Sequence, residues 1–251
     1  MGALDGKTAI LTGGAEGIGM TYAHALASEG ASVAIWDVIS PDKIVAEVRA
    51  KGGKCIGMTC DVTDARAVSQ NLAGVLAEFG GVQILVNNAA VFARMLDLKP
   101  FEELTSAEFD KALAVNVRGP FECAKAVSPL MRKQGYGKIV NIASGTAFKG
   151  TAGMLHYVAS KGAVISMTRA MANELGGDGV RVNCIAPGLV LTEAIARPGL
   201  ERFREGAVAT RFLKQPQMPQ DLAGALVFLA SPASDFITGQ ILAVDGGSVL
   251  H

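Results

Sequence analysis

Tyr157 and Lys161 are four positions apart, in a segment that reads YVASK. On a helix this spacing puts both side chains on one face, so that an ammonium group lies beside a phenol. A phenol ordinarily titrates near pH ~10, and a nearby positive charge favours its phenolate form. The pair could therefore take a proton from an alcohol or return one to a carbonyl oxygen.

Two further polar residues lie in apolar surroundings. Ser144 ends a strand-like run thirteen residues before Tyr157, and its hydroxyl could hydrogen-bond a substrate oxygen. Asn116, a poor helix former, lies between two valines of a helical segment. Each residue has an ordinary explanation: a core tyrosine, a snorkelling lysine, a strand-end serine and a local helix irregularity. Their combination favours one catalytic site.

The segment TGGAEGIG, from Thr12 to Gly19, directly follows the first predicted strand. Gly13 permits a tight turn, and Gly17 lets the backbone approach a pyrophosphate at the positive end of the next helix. Gly19 allows that helix to pack closely on the strand. A turn without a ligand would show the same glycines, so the pattern needs support from elsewhere in the chain.

Asp37 supplies that support. It ends the second predicted strand about twenty residues after the glycine turn, where a carboxylate can accept both hydroxyls of an adenosine ribose. Its charge would repel a 2′-phosphate, and Glu16 adds a second negative charge, whereas a phosphate-reading site would carry arginine or lysine. These residues favour NAD over NADP, with a solvated strand-end aspartate as the alternative explanation of Asp37.

The elements that must position these residues are short apolar strands alternating with helices. Continuously apolar runs suit strands that are covered on both faces. We predict an α/β fold: a single Rossmann-like, doubly wound, parallel seven-stranded sheet with helices on both faces. The predicted strands are Thr8–Leu11, Ser32–Trp36, Lys54–Met58, Ile84–Val86, Lys138–Ile142, Val180–Ile185 and Ile241–Val244.

Two predicted helices carry parts of the site. One runs from Gly17 to Ser28, and a second, unusually long one runs from about Thr105 to Arg132 and contains Asn116. Thr105 and Glu108 have the spacing of a capping box, which sets the start of the second helix. Ligands of such folds bind at the carboxyl ends of the strands, where the strand order reverses.

Taken together, the glycine segment, Asp61, the run Asn87-Asn88-Ala89 and the residues above resemble the short-chain dehydrogenase/reductase family over nearly the whole chain. The resemblance implies that the Asp61 side chain and the Val62 backbone bind adenine. It implies that Asn88 steadies the central strand and the adenosine ribose. Ala90 departs from the family, which commonly has glycine there, and its methyl group could tighten the packing near the nicotinamide.

The resemblance also implies a mechanism. Tyr157 exchanges a proton with the alcohol or carbonyl oxygen, Ser144 holds that oxygen, Lys161 binds the nicotinamide ribose, and Asn116 anchors a water relay to Lys161. The segment after the sixth strand, including Ile185, is expected to bind the nicotinamide carboxamide. The expected cofactor contacts are Gly13, Glu16, Gly17, Ile18, Gly19, Asp37, Val38, Asp61, Val62, Asn88, Ala89, Tyr157, Lys161, Pro187, Gly188, Leu189 and Thr192.

The substrate is expected to be a hydrophobic secondary alcohol or its ketone, aromatic or alicyclic, because most candidate pocket residues are apolar. Residues 192–215 would form a mobile lid. Arg94 could meet a substrate carboxylate, although it is more simply an exposed loop arginine, and His156 is next to Tyr157. The expected substrate contacts are Ser144, Thr146, Met154, Tyr157 and Leu189.

Composition limits the remaining possibilities. The 251 residues are half hydrophobic and show no linker, so we expect one domain over 1–251. The 23 basic and 23 acidic residues balance without a basic cluster, which argues against nucleic acid as a partner. Neither a signal peptide nor a membrane span is indicated, and we expect a cytoplasmic protein. We expect buried free thiols and no metal; the four cysteines are Cys55, Cys60, Cys123 and Cys184.

Assembly and two alternative functions complete the expectations. The C-terminal run from Phe236 to Gly247 resembles the strand through which many family members form tetramers, so a homotetramer is predicted. A 3-oxoacyl thioester reductase of the same fold is one alternative, and it would more often prefer NADPH. A non-catalytic nucleotide-sensing protein is the other, and it would not need Tyr157, Lys161, Ser144 and Asn116.

Overall fold

A computed structural model describes residues 2–92 and 98–250. It contains a single seven-stranded sheet, in the order β3-β2-β1-β4-β5-β6-β7, in which every neighbouring pair is parallel. The strands are β1 Thr8–Thr12, β2 Ser32–Asp37, β3 Cys55–Thr59, β4 Ile84–Asn87, β5 Gly137–Ile142, β6 Val180–Pro187 and β7 Ile241–Val244. The predicted α/β fold is confirmed, with strand ends within two residues of those expected.

Ten α-helices are found in the described ranges. They are α1 Gly17–Ser28, α2 Asp42–Ala50, α3 Ala65–Phe79, α4 Ser106–Leu113, α5 Gly119–Gln134, α6 Thr146–Lys149, α7 Leu155–Leu175, α8 Glu193–Ala196, α9 Glu201–Ala209 and α10 Ala223–Ala230. Shorter 3₁₀ turns cover Phe101–Glu103, Gly176–Asp178, Pro219–Leu222 and Pro232–Ser234. None of the helices in the described ranges is long and apolar enough to cross a membrane.

The strands are continuously apolar because both faces of the sheet are covered. Side chains alternate between faces along a strand, so Ala9 and Leu11 of β1 enter one core while Ile10 enters the other. The first core includes residues of α1, α2 and α10, such as Tyr22, Ile44 and Leu226. The second includes residues of α3, α5 and α7, such as Val68, Val127 and Leu175. The sheet thus lies between two helical layers.

The helix predicted from Thr105 to Arg132 is interrupted. Thr105 is its N-cap, and Glu108 completes the capping box, as expected. However, α4 and α5 are joined by a π-helical turn at Ala114–Arg118, and α5 ends at Gln134. The prediction of one unbroken helix from Thr105 to Arg132 was therefore wrong. The wider turn adds a residue to the helical path and brings Asn116 into the core.

The strand order places the site. It reverses between β1 and β4, which are neighbours in the sheet although two strands separate them in sequence. The loops after these strands leave in opposite directions and open a crevice at the carboxyl edge. All four cysteines are free and buried, as predicted.

Candidate active site

The glycine turn forms one wall of the crevice. Gly13 and Gly17 have φ angles of +65° and +57°, which favour glycine. A side-chain carbon on Gly13 would lie 2.7 Å from the Ala89 Cα, and one on Gly19 would lie 1.9 Å from the Gly13 carbonyl oxygen. Glycine is therefore required where this turn meets β4 and where α1 packs back on it.

The turn has room for a pyrophosphate. The N-cap residue of α1, Glu16, makes no side-chain hydrogen bond to the helix start, so the first backbone N–H groups remain open to an anion. A side-chain carbon on Gly17 would contact only the Thr192 side chain, at 3.5 Å from Cγ2. This space between α1 and the segment after β6 fits the phosphates of a dinucleotide.

Asp37 is held beside the turn. Its Oδ2 accepts a hydrogen bond from the Ala15 N–H at 2.9 Å, and its Oδ1 accepts one from the Ile39 N–H at 3.3 Å. The carboxylate is half-buried, and the adjoining Val38 side chain is 65% exposed. The fold therefore fixes a negative charge at the end of β2, where an adenosine ribose would lie in such a crevice.

Asp61 and Val62 lie at the end of β3 and would border the adenine. Asp61 Oδ1 accepts hydrogen bonds from the N–H and the hydroxyl of Thr63, which fix the carboxylate in a local turn. Val62 is buried, and its Cγ2 would be 2.6 Å from a side-chain carbon on Gly119. The absent side chain of Gly119 thus makes room for Val62 just after the end of β3.

Asn88 braces the two neighbouring strand ends. Its Nδ2 donates to the carbonyl oxygens of Thr12 and Gly13, at 3.1 and 2.7 Å. The Thr12 hydroxyl accepts from the N–H groups of Asn88 and Ala89. These bonds tie the glycine turn to the end of β4. Ala90 is exposed, so its methyl group is accommodated at the edge of the crevice.

Tyr157 lies in the first turn of α7 and faces the end of β5. Burial raises the pKa of its phenol to about 12, while a hydrogen bond with the Ser144 side chain acts in the opposite direction. The Phe92 ring packs on the phenol, with 4.9 Å between ring centroids. Ser144 Oγ accepts from the N–H and the hydroxyl of Thr146, at 3.2 and 3.0 Å, which fixes its position.

Lys161 lies one helical turn below Tyr157. Its Nζ is 5.7 Å from the centre of the Tyr157 ring and donates to the Ile142 carbonyl oxygen at 2.7 Å. Burial lowers the pKa of Lys161 to about 8. A buried ammonium at this distance stabilises negative charge on the phenol, while its own burial disfavours the charged form of the lysine.

Asn116 connects the π-helical turn to the helix that carries Tyr157 and Lys161. Its Oδ1 accepts from the Val91 N–H at 2.9 Å, and its Nδ2 donates to Ser160 Oγ at 3.0 Å. Ser160 in turn donates to the Tyr157 carbonyl oxygen at 2.7 Å. Asn116 therefore is both an irregularity in the helix and a brace between the loop after β4 and the start of α7.

These elements enclose a cavity of about 410 Å³. Phe92, Leu189, Ile195 and Phe203 form much of its apolar wall. Of the predicted site residues, those that line it are Ile18, Asn88, Ser144, Thr146, Tyr157, Lys161, Pro187, Gly188, Leu189 and Thr192. Gly145 and Thr151 line it as well.

Met154 was expected to contact substrate, and the structure places it elsewhere. It is fully buried and does not line the cavity, because it immediately precedes α7 and its side chain packs inward. His156 is also buried outside the cavity lining. Arg94 lies outside the described residues.

Comparison with known proteins identifies the family. A family model described as enoyl-(acyl carrier protein) reductase matches residues 13–249. D-threitol dehydrogenase of Mycolicibacterium smegmatis is 40% identical over 250 residues, which is 97% of this chain and 93% of the relative. 7α-hydroxysteroid dehydrogenase of Escherichia coli K12 is 37% identical over 248 residues, 98% and 95% of the two chains. The chain is a short-chain dehydrogenase/reductase.

A solved structure of the same family extends the likeness to three dimensions. It is a provisionally assigned NAD(P)-dependent gluconate 5-dehydrogenase from Beutenbergia cavernae, with NADP bound at low occupancy. Its TM-score is 0.89 at 36% sequence identity, with 98% of this chain and 97% of that one covered. This short-chain dehydrogenase/reductase is therefore an oxidoreductase that uses a nicotinamide cofactor.

The segment 192–215 covers the cavity of this short-chain dehydrogenase/reductase with two helices, α8 and α9. Ile195, Phe203 and Ala207 face inward from it. The Leu191 N–H donates to the Gln217 carbonyl oxygen at 2.7 Å, which joins the two ends of the segment. Its position fits a lid, and its mobility stays a prediction.

Some residues of the site were not singled out from sequence. Ser160 belongs to the YVASK segment, where its position three residues after Tyr157 was the available signal. Arg211 and Asp245 are 2% and 3% exposed and line the cavity. Nothing in the sequence pattern joins them, because they come from the lid's end and from the end of β7.

Proposed function

We propose that the protein catalyses the reversible, NAD-linked oxidation of hydrophobic secondary alcohols to ketones. The observation that carries the proposal is the Tyr157 phenol, which lines an apolar cavity together with Ser144 and packs against the tilted Phe92 ring. The bound nicotinamide would supply or accept the hydride. The protein's own groups would bind the substrate oxygen, orient it and move its proton.

Ser144 and Tyr157 divide that work. The Thr146 N–H and hydroxyl both donate to the Ser144 oxygen, so the single Ser144 O–H would pass from the Tyr157 phenol to a substrate oxygen when substrate binds. Such a donor stabilises the negative charge that develops on that oxygen. Tyr157 takes the alcohol proton during oxidation and returns it during reduction. The ammonium of Lys161 stabilises the phenolate in between.

Asp37 supports NAD as the cofactor. Its carboxylate is fixed at the end of β2 by two backbone N–H groups, where it can accept both ribose hydroxyls. A 2′-phosphate at this place would meet a like charge, and the next two side chains, Val38 and Ile39, provide no cation to offset it. The related structure contains NADP, so the preference has to be measured in this protein.

The cavity wall supports an apolar substrate body. Phe92, Leu189 and Phe203 contribute apolar surface around the reacting position, and such surface selects for hydrophobic ligands. The relative that acts on a hydroxysteroid fits this preference, whereas the threitol dehydrogenase is named for a polar substrate. We therefore propose aromatic or alicyclic alcohols first, with polyols as the contrasting class.

Reduction of 3-oxoacyl thioesters is the second candidate function. It is favoured by a relative named 3-oxoacyl-[acyl-carrier-protein] reductase from Thermotoga maritima, which is 35% identical over 249 residues. Asp37 argues against it, because such reductases more often use NADPH. A nucleotide sensor without catalysis is disfavoured by the complete set Ser144, Tyr157 and Lys161.

A substrate panel tests the proposal. Purified protein is mixed with NADH or NADPH and with aromatic ketones, alicyclic ketones, keto sugars and acetoacetyl thioesters, and absorbance of the reduced cofactor is followed. We expect the fastest NADH oxidation with the aromatic or alicyclic ketones. Tyr157→Phe is the matched control, since it removes only the hydroxyl. Preference for thioesters with NADPH would support the second candidate, and inactivity throughout would contradict the proposal.

We further propose that the whole chain acts as one catalytic unit and assembles as a cytoplasmic homotetramer. The Phe236 side chain is fully exposed, Leu250 is 77% exposed, and β7 forms the outer edge of the sheet. Apolar side chains beside an open sheet edge favour association. Light scattering would give the mass of four chains, and a monomeric mass would contradict this assembly.

A further inference from the structure

The cavity has a polar end beyond Ser144. There the Lys149 Nζ donates to the hydroxyls of Thr210 and Ser248, the first at 3.4 Å, and the two hydroxyls are 2.8 Å apart. We call these three residues the distal cluster. They come from the end of α6, the end of α9 and the C-terminal tail, and all three line the cavity that also holds Tyr157.

The charges around the cavity are unequal. Its lining contains four basic residues, Lys149, Lys161, Arg202 and Arg211, and one acidic residue, Asp245. The Lys161 ammonium is bound to a backbone carbonyl below the catalytic tyrosine. The remaining three cations differ in whether the protein itself offsets their charge.

Arg211 has protein partners for its charge. Its guanidinium donates to the carbonyl oxygens of Leu189 and Gln215, at 2.6 and 2.9 Å. Burial lowers the pKa of Arg211, and the charge of Asp245 opposes that shift. Asp245 acts on Arg211 only through space, because no ion pair joins them within residues 2–92 and 98–250 and Asp245 Oδ1 accepts instead from the N–H groups of Gly247 and Ser248. Arg211 anchors the lid to the segment after β6.

Lys149 and Arg202 have no such offset. Within residues 2–92 and 98–250, Lys149 forms no ion pair, and its partners are two neutral hydroxyls. Arg202 makes no hydrogen bond or ion pair in those same ranges. An ammonium has three N–H donors, so one donor of Lys149 remains for a ligand. Both are exposed residues of the cavity lining, Lys149 beside the end of α9 and Arg202 near its start. Two positive charges without an acidic partner in the described residues therefore border an otherwise apolar cavity.

We propose that the distal cluster, together with Arg202, binds a carboxylate of the substrate. Charge-assisted hydrogen bonds from lysine and arginine are the strong ones, and neighbouring hydroxyls add further donors. This inference rests on the proposed function, whose substrate class it narrows. The substrate would be a hydroxy acid or keto acid with an apolar body, its carbinol or carbonyl at Ser144 and Tyr157 and its carboxylate at Lys149.

A binding experiment tests this separately from turnover. The probes are para-acetylbenzoate and levulinate, each beside its methyl ester, titrated by calorimetry into the enzyme saturated with oxidised NAD, which cannot reduce a ketone. In the wild-type protein we expect each acid to bind about tenfold more tightly than its ester, consistent with one charge-assisted contact. Added salt should weaken binding of the acids and leave the esters unchanged.

Two variants assign the effect to the cluster. Lys149→Gln should bring the acid down to the affinity of the ester while leaving the ester within about twofold, because only the charge is removed. Lys133→Gln is the matched control, since Lys133 is an exposed lysine at the end of α5, outside the cavity lining. Arg202→Gln should give a smaller loss for the acid. Thermal melting checks that each variant is folded.

The outcomes separate the two proposals. Equal binding of acid and ester by the wild-type protein, or equal weakening of both by Lys149→Gln, would overturn the carboxylate site while ketone reduction still stood. If no ketone is reduced, the proposed function fails, and the calorimetry still reports on the site. A Lys149 effect seen with acetoacetyl-coenzyme A but with neither acid would assign the cluster to a phosphate and overturn the carboxylate assignment.

Discussion

Replacing Asp37 by serine and Val38 by arginine should move the cofactor preference from NADH toward NADPH. Asp37 is fixed by the N–H groups of Ala15 and Ile39, so its carboxylate is held in place before a cofactor binds. Val38 is 65% exposed beside it, so an arginine there can reach out without disturbing the core. The pair of changes removes the acceptor for two ribose hydroxyls and adds a donor for a 2′-phosphate.

The size of the change follows from the contacts. A hydrogen bond to a charged group contributes about 1.5–3 kcal/mol, which lowers NADH affinity by about 10- to 100-fold when it is lost. The binding free energy of NADPH should improve by about 1–2 kcal/mol, because an arginine pairs with the 2′-phosphate and the opposing carboxylate is gone. This gain is smaller than the Coulomb energy of two charges in contact, since solvent screens the exposed site. The ratio of kcat/KM for the two cofactors should shift by about two to three orders of magnitude.

The assay compares kcat/KM for NADH and NADPH with one ketone at saturation. Asp37→Asn is the control, because it keeps an acceptor for the Ala15 N–H and removes only the charge, and it should give the smaller part of the shift. Thermal melting should show a loss of about 0.5–1.5 kcal/mol for the serine variant from its weaker bond to the turn. A cofactor ratio unchanged in both variants would refute the role of Asp37.

Four other predictions concern the catalytic residues and the lid. Tyr157→Phe should abolish turnover and leave the dissociation constant for NADH, measured by fluorescence, within about twofold; appreciable residual activity would contradict the assignment of the proton donor. Burial raises the pKa of Tyr157 to about 12, so alcohol oxidation should become faster as the pH rises, whereas ketone reduction should become slower. Lys161→Met should move the rising limb of the oxidation profile to higher pH. A pH profile that does not move would exclude a role of Lys161 in stabilising the phenolate. Asn116→Ala removes side-chain hydrogen bonds at a fully buried position and should lower the free energy of unfolding by about 1–3 kcal/mol, which denaturant unfolding would measure. The same variant should have a lower kcat in steady-state kinetics. Arg211→Met should raise KM for the ketone by loosening the bond to Leu189, while KM for NADH changes less; equal changes would argue against a lid anchor.

The helical spacing of Tyr157 and Lys161 and the glycine turn could be predicted from sequence because both depend on local geometry. Four residues are about one helical turn, so the two side chains share a face of α7 wherever that helix packs. Gly13 and Gly17 adopt positive φ angles within one short turn. Asp37 could be assigned in the same way, because it ends strand β2 a short, predictable number of residues after the glycine turn.

Residues whose roles depend on distant parts of the chain were harder to assign. Met154 is close in sequence to Tyr157, yet its side chain packs into the core because the chain bends just before α7. The helix around Asn116 has no sequence signal for a π-helical turn, which the bonds to Val91 and Ser160 stabilise from other segments.

The fold class, the order of the strands along the chain and the polar groups at the strand ends could all be inferred from the sequence, because strand patterns, caps and turns are local properties. Which charges share the cavity depends on how distant segments pack. Lys149, Thr210 and Ser248 are separated by as many as 99 positions, and they meet only because α6, the lid and the C-terminal tail pack at one edge of the sheet. Whether Lys149 or Arg211 keeps its charge free for a ligand depends on which neighbours that packing provides.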